Sequence, residues 1–339
     1  MNPHNIPEGS TALITGATGF TGSALAWKLA KKKVNISAIA RESSDISRLD
    51  GLNITWYIGD VFDPKTVTNA AENAEYVFHL ATAYRQGGTG EDYFRKVHIE
   101  STKLLAQTCL KNKAFKRFVH VSTCGVHGHI EGKPADENHP FAPGDAYQKT
   151  KAEAELWLRN FISNNDLPAV ILRPTGIYGP RDKRLLKLFK LAAGRFFPIL
   201  GKGKCLYHLI HVEDLTNIMI SAAVHPSALN EVFLCGNREP IPLREIAAVV
   251  AETLGNRQTV VRLPAWPLFV AAKLCETVCR PLGLPPPLYR RRVAFFTKDR
   301  MFNTEKLRNV LEYQQVYSNR QGIAQTVEWY LEHGWLKNK

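Results

Sequence analysis

Acidic residues are the scarce charge in this chain. Asp and Glu number 31 against 44 Lys and Arg, a formal excess of +13 over 339 residues. Such an excess attracts anions, and nucleic acid or an anionic membrane surface is the first partner to weigh. The basic residues are nevertheless spread along the chain, with local clusters at Lys31–Lys33, Arg181–Arg184 and Arg290–Arg292. No zinc-finger, RNA-binding or homeodomain spacing accompanies them, so no nucleic-acid partner is expected. Cysteine is sparse too, with six residues at 109, 124, 205, 235, 275 and 279. Only Cys275 and Cys279 are neighbours, and nothing beside them completes a zinc site, so reduced, mostly buried thiols and no metal are expected. A reactive Cys124 is the minor alternative. No apolar run approaches the roughly 18 to 20 residues a bilayer span needs. The opening MNPHNIPEGS lacks a basic start followed by an apolar stretch, so no secretory signal is expected and the cytoplasm is the expected location.

What is present is an alternation of apolar runs and amphipathic stretches. Strands are expected at Thr11–Thr15, Val34–Ala40, Ile54–Ile58, Tyr76–Leu80, Arg117–Ser122 and Ala169–Arg173. Helices are expected at Phe20–Ala30, Glu91–Lys111 and Ala146–Phe161. Apolar strands alternating with helices imply a parallel sheet covered on both faces. Right-handed crossovers then make it an α/β, doubly wound sheet. After about Gly179 basic helical stretches, aromatic pairs and Pro-rich segments take over. A helix over Val212–Val224 and a strand at Val232–Cys235 resume the earlier pattern, and Lys306–Leu311 and Gly322–Glu332 close the chain as helices. The expected division is a Rossmann domain over 1–180, with 212–236 returning to it. A smaller, mostly helical C-terminal substrate domain takes 181–211 and 237–339.

The most informative motif is Thr15-Gly16-Ala17-Thr18-Gly19-Phe20-Thr21-Gly22, placed between a strand and a helix. That context marks a dinucleotide fingerprint. Gly16 permits the tight turn, Gly19 lets backbone N–H groups approach a pyrophosphate, and Gly22 lets helix pack on strand. The Gly-x-x-Gly-x-x-Gly spacing resembles the extended short-chain dehydrogenase/reductase superfamily, also called the NAD-dependent epimerase/dehydratase family. Further segments carry the resemblance in order: Gly59-Asp60, His79-Leu80-Ala81-Thr82, Val121-Ser122-Thr123, Tyr147-Gln148-Lys149-Thr150-Lys151, Arg173 to Pro180, and His211-Val212-Glu213-Asp214. The motifs run from Thr15 to Asp214, and the resemblance they carry extends over roughly residues 10 to 335. The resemblance implies cofactor contacts from Gly16, Thr18, Gly19, Phe20, Thr21, Arg41, Asp60, Val61, Leu80, Ala81, Thr82, Tyr147, Lys151, Pro174 and Ile177.

Tyr147 and Lys151, four apart on an expected helix, share one face. A nearby ammonium favours phenolate, so Tyr147 could exchange a proton with a substrate oxygen near neutral pH. The resemblance implies that role for Tyr147, ribose contact for Lys151, and a hydrogen bond to the substrate oxygen for Thr123. Ser122 is the rival, since strand alternation turns only one of the two hydroxyls toward the site; the register to Val126 favours Thr123. Where an NAD enzyme of this fold carries an acid, the second strand ends in Arg41. A guanidinium pairs with a 2′-phosphate, so NADP(H) is expected. NAD(H) is the alternative, with Arg41 solvated beside Glu42.

The activity implied is oxidoreduction between an alcohol and a ketone on a small-molecule substrate. Two diphosphate contacts of nucleotide-sugar enzymes are missing: Thr175-Gly176 stands where Asn is usual, and Cys205 to Ile210 lacks the usual Arg, though Arg181, Lys183, Arg184 or Lys202 could substitute. The apolar run from Leu263 to Val270, Leu282 to Leu288, and Phe295-Phe296 resemble the 3β-hydroxysteroid dehydrogenase, sterol-carboxylate dehydrogenase and dihydroflavonol reductase branch, which implies a steroid-, flavonoid- or polyketide-like substrate. The same residues could equally form the small domain's core. A nucleotide-sugar epimerase or dehydratase with a retained cofactor is the alternative. Pro264–Gly283 reads as a helix packed on its own domain, or else as one resting on a membrane. His98 stands where the family has Asn, and either donates a hydrogen bond in its place or brings a titratable group to the site. Many relatives pair through the Tyr-x-x-x-Lys helix, which implies a homodimer.

Overall fold

The computed structural model describes residues 5–83, 90–130, 132–201, 205–279, 281, 284, 286–288, 293 and 299–337. Its centre is a seven-stranded sheet, all parallel, in the order Val232–Cys235, Ala169–Pro174, Arg117–Val121, Tyr76–His79, Thr11–Thr15, Asn35–Ala40, Ile54–Ile58. Chain order runs outward both ways from Thr11–Thr15. The reversal leaves a crevice above the carboxyl ends of that strand and Tyr76–His79, the usual ligand position of such sheets.

The strands bury both faces because their side chains alternate between two cores. Ala12 and Ile14 join Leu25, Leu29, Ile218 and Met219 on one face, under the helices Phe20–Lys31 and Val212–Val224. Leu13, Val77, Phe118 and Ile171 meet Val67, Leu105, Leu158 and Ile162 on the other, under Pro64–Ala71, Ser101–Cys109 and Ala146–Asn165. A separate buried cluster gathers Phe189, Phe197, Tyr207, Ile246, Val250, Val327 and Tyr330 from the helices Leu186–Ala192, Leu243–Thr253 and Asn319–Glu332 and their neighbours.

The structure departs from expectation in three places. The single helix expected over Glu91–Lys111 is Glu91–Arg95, a wide π-helical turn Lys96–Glu100, and Ser101–Cys109. The closing helix starts at Asn319, before Gly322, because Ser318 and Gln321 form a reciprocal capping box. Gly322 then lies inside the helix, where a Cβ would come 2.3 Å from the Tyr178 hydroxyl, so close packing demands glycine. The smaller part, expected to be mostly helical, also carries strands: among the described residues three two-stranded ribbons pair Gly176–Tyr178 with Leu209–His211, Leu206–Tyr207 with Ile241–Pro242, and Phe196–Leu200 with Thr259–Leu263. Finally, Leu263, Trp266 and Val270 are exposed and form no core. Lys202, Leu282, Pro285, Arg290–Arg292 and Phe295–Phe296, singled out in the sequence, lie outside the described residues.

Candidate active site

The strand Thr11–Thr15 ends at Gly16, whose φ is +76°. A Cβ there would lie 2.9 Å from Ala81 N, so the segment after Tyr76–His79 passes directly over the turn. Gly19 opens the helix in an extended conformation, with no side-chain cap and no acid in the first turn. Its N–H groups and positive dipole end therefore face the crevice without an internal anion. Thr18, Phe20 and Thr21 are half-buried around this turn. A Cβ on Gly22 would approach Gly16 O to 2.1 Å. An uncapped helix end and a cradle that methyl groups would fill suit a dinucleotide pyrophosphate. Gly22→Ala should therefore push turn and helix apart, costing about 1–3 kcal/mol of stability. Urea unfolding measures this, and cofactor titration should show weakened binding.

Buried hydrogen bonds fix the strand ends. The Ala81 N–H donates to Thr15 Oγ1. Ser101 and Thr102 hydroxyls donate to the Val97 and His98 carbonyls, so both can only accept from His79 Nε2–H. His79 Nδ1 is then left to accept from the Thr15 hydroxyl at 2.8 Å. Burial holds the His79 pKa at about 3, and the ring stays neutral. It ties strands together beneath the site, and Leu80, Ala81 and Thr82 lead out above it.

The helix Ala146–Asn165 begins at Asp145, whose carboxylate accepts from Gln148 N. Half-buried Tyr147 lies in its first turn, in a cluster with Ala83, Phe94 and Val97. One turn on, Lys151 is buried and its ammonium donates to Val121 O at 2.6 Å. Burial lowers its pKa to about 8, against the opposing pull of Glu155. Val121 is two residues before Thr123, so the helix and strand bring Lys151 to the base of the Thr123 turn. The hydroxyls of Ser122 and Thr123 diverge. Ser122 donates to the buried Glu155 carboxylate at 2.6 Å, whereas Thr123 accepts from Gly125 N at the mouth of the strand.

His98 occupies the wide turn, where the extra backbone residue per turn re-aims it. Its Nε2 accepts from the Ala83 N–H at 3.1 Å, so Nδ1 carries the proton and donates to Thr150 Oγ1 at 2.8 Å. The Thr82 hydroxyl lies 3.0 Å from the same Nε2. The imidazole meets the Tyr147 ring edge-on at 5.4 Å. Burial drops its pKa to about 2. His98 is thus a neutral brace between the Thr82–Ala83 segment and the Tyr147 helix, and not a titrating relay.

Behind these groups lies a buried charge pair that sequence reasoning missed. Arg173 Nε donates to Glu155 at 2.9 Å, and both side chains are fully buried. Arg173 also reaches His127 Nε2, the Glu137 carbonyl and the Phe141 ring. Two signals were available: Glu155 continues the Tyr147–Lys151 face by one more turn, and Arg173 ends an otherwise apolar strand. The Cys124 thiol donates to Arg173 O, and burial raises its pKa well above the ordinary value, so it is not a nucleophile.

Around the rim, Arg41 is exposed at the end of Asn35–Ala40 and donates to the Tyr93 hydroxyl at 2.9 Å. Asp60 and Val61 follow Ile58, and Pro174 and Ile177 flank the end of the sixth strand. The Arg184 guanidinium lies over the Phe20 ring, bonds Ile177 O and pairs with Asp182, so its charge is already matched. His208 stands in the Cys205–Ile210 segment. It bonds Asn237 O and accepts from Phe302 N, and burial lowers its pKa. That segment offers no cation to a diphosphate. Among the described residues no group of three His, Cys, Asp or Glu side chains could hold a metal ion.

A family model described as "NAD dependent epimerase/dehydratase family" matches residues 12–236. An Arabidopsis thaliana 3beta-hydroxysteroid-dehydrogenase/decarboxylase, isoform 2, is 26% identical over 81% of this chain and 52% of its own length. The chain thus spans about half of that relative. The Mus musculus sterol-4-alpha-carboxylate 3-dehydrogenase, decarboxylating, is 26% identical over 96% of this chain and 92% of its own. Among solved structures, gox2253 superposes with a TM-score of 0.81 at 26% identity, covering 97% of this chain and 100% of the other.

Proposed function

Because this chain belongs to the NAD dependent epimerase/dehydratase family, we propose that it is an NADP(H)-dependent oxidoreductase of the extended short-chain type, interconverting an alcohol and a ketone on a hydrophobic small molecule. The observation that supports this chemistry is that the Lys151 ammonium, on the helix whose first turn carries Tyr147, bonds Val121 O, two residues before Thr123. The steroid- and sterol-acting relatives support the substrate class, as does the absence of a cation in the Cys205–Ile210 segment.

In this reading Gly16 to Thr21 hold the pyrophosphate, and Leu80 to Thr82, Pro174 and Ile177 line the nicotinamide side. The nicotinamide, when bound, supplies the hydride chemistry. Tyr147 Oη exchanges a proton with the substrate oxygen, and Thr123 Oγ1 orients that oxygen. The Lys151 ammonium favours the phenolate. His98 fixes the ring from which the hydroxyl projects. Residues 181–211 and 237–339 provide the substrate side, and two copies pair through Ala146–Asn165.

A panel of steroid and flavonoid ketones with NADPH tests this: net loss of the reduced-nicotinamide absorbance supports it. A cofactor that stays bound and shows no net change, together with stabilisation by uridine diphosphate, would instead assign a nucleotide-sugar epimerase.

The cofactor choice rests on Arg41. A charge-assisted bond to a 2′-phosphate contributes about 1.5–3 kcal/mol. Arg41→Ser should therefore weaken NADPH binding about 10- to 100-fold while NADH affinity stays within a few-fold. Fluorescence titration of both cofactors measures this, and equal losses would remove Arg41 from phosphate recognition.

A further inference from the structure

The helix Trp266–Cys279 half-buries Leu268, Phe269 and Cys275 but leaves a second apolar stripe uncovered. A helix on a globular domain buries its large apolar stripe. Here the buried residues are Ala272 and Glu276. Trp266, Val270, Leu274 and Val278, spaced four apart and so on one face, are 69%, 50%, 61% and 61% exposed. The strand leading into the helix, Thr259–Leu263, is exposed along its whole length. Exposed apolar surface of this kind marks an interaction site.

Charge identifies the partner. Residues 256–298 contain eight Lys and Arg and a single acid, Glu276. That one acid is buried, whereas Arg257, Arg262 and Lys273 are exposed. In a two-fold dimer through this face, these cations would meet their own symmetry mates. An anionic bilayer complements both the apolar stripe and the cations. The helix is also too short to cross: 14 residues span about 21 Å, against a hydrocarbon core of about 30 Å. We propose that the face formed by Trp266–Cys279 and Thr259–Leu263 docks this protein onto an anionic lipid bilayer, with the helix lying in the plane of the surface. This rests on the exposed face alone and is independent of the cofactor reading.

Vesicle flotation of the full chain tests it, with phosphatidylcholine alone and with phosphatidylcholine plus phosphatidylglycerol. The protein should float with the anionic vesicles at low salt and be released as salt screens the lysines and arginines. The double variant Val270→Gln/Leu274→Gln should lower partitioning about tenfold or more. Lys273→Gln should lower it about fivefold. Both side-chain sets are exposed, so the melting temperature should not change. No flotation with anionic vesicles, or flotation that ignores the double substitution, overturns the proposal. So does a dimer that the same substitutions dissociate in light scattering, because a second copy would then cover the face.

Discussion

Replacing Tyr147 with Phe should lower kcat by about a hundredfold to ten-thousandfold, the usual contribution of a positioned proton donor. The substitution removes the hydroxyl and keeps the ring. The ring meets His98 edge-on and packs with Ala83, Phe94 and Val97, and none of these contacts uses the phenolic oxygen. Because the ring contacts are kept, NADPH affinity should change far less than kcat, which separates loss of chemistry from loss of the site. Lys151 adds a pH signature. Its buried ammonium titrates near 8 rather than at 10.5, and only the charged form favours the phenolate. As pH rises through about 8 the free enzyme loses that charge, so kcat/KM should fall on the alkaline side. Lys151→Met should abolish that limb. Stability runs the other way. The folded pKa is depressed, so between about 8 and 10.5 the unfolded chain binds more protons, and this group's contribution rises with pH. A phenylalanine variant with full turnover would move the proton transfer to another residue.

The parts of this site that were legible in the sequence are the local ones. Gly16, Gly19 and Gly22 lie within one eight-residue stretch, and the positive φ of Gly16 and the close approach of Gly22 to Gly16 O are limits that act inside it, although Gly16 also makes room for Ala81. Tyr147 and Lys151 share a helix, so their spacing alone puts them on one face. What escaped depends on partners far along the chain. The wide turn at Lys96–Glu100 adds one residue to a helix and barely disturbs its apolar pattern, yet it aims His98 at Thr150 and Ala83. The sequence left two readings of His98, a hydrogen-bond donor or a titratable group, and the low-polarity surroundings hold it neutral as a donor. The ribbons of the smaller part escaped for a related reason: Leu206–Tyr207 and Ile241–Pro242 are each two residues long and pair across a gap in sequence. The helix Trp266–Cys279 has an amphipathic pattern that shows a face must be covered but not by what.

Glu155→Ala should be the most destabilising single change near the site, on the order of 3–5 kcal/mol, the usual cost of stranding one member of a buried pair. It would leave the Arg173 guanidinium buried without its carboxylate, and the Ser122 hydroxyl without its acceptor. The Glu137 carbonyl and the Phe141 ring still contact Arg173, but neither carries a compensating full charge. The double variant Glu155→Leu/Arg173→Met removes both charges and should recover most of the loss, because well-packed apolar pairs match buried ion pairs in stability. The milder Glu155→Gln connects this pair to catalysis. Glu155 is the group that holds the Lys151 pKa up against burial. Without its charge the ammonium is disfavoured further, and the alkaline limb of kcat/KM should move below pH 8. Urea midpoints report the first effect and the pH profile the second. An unmoved limb in a stably folded Glu155→Gln protein would confine the pair to a purely structural role, and Lys151 would then depend on burial and the Val121 carbonyl alone.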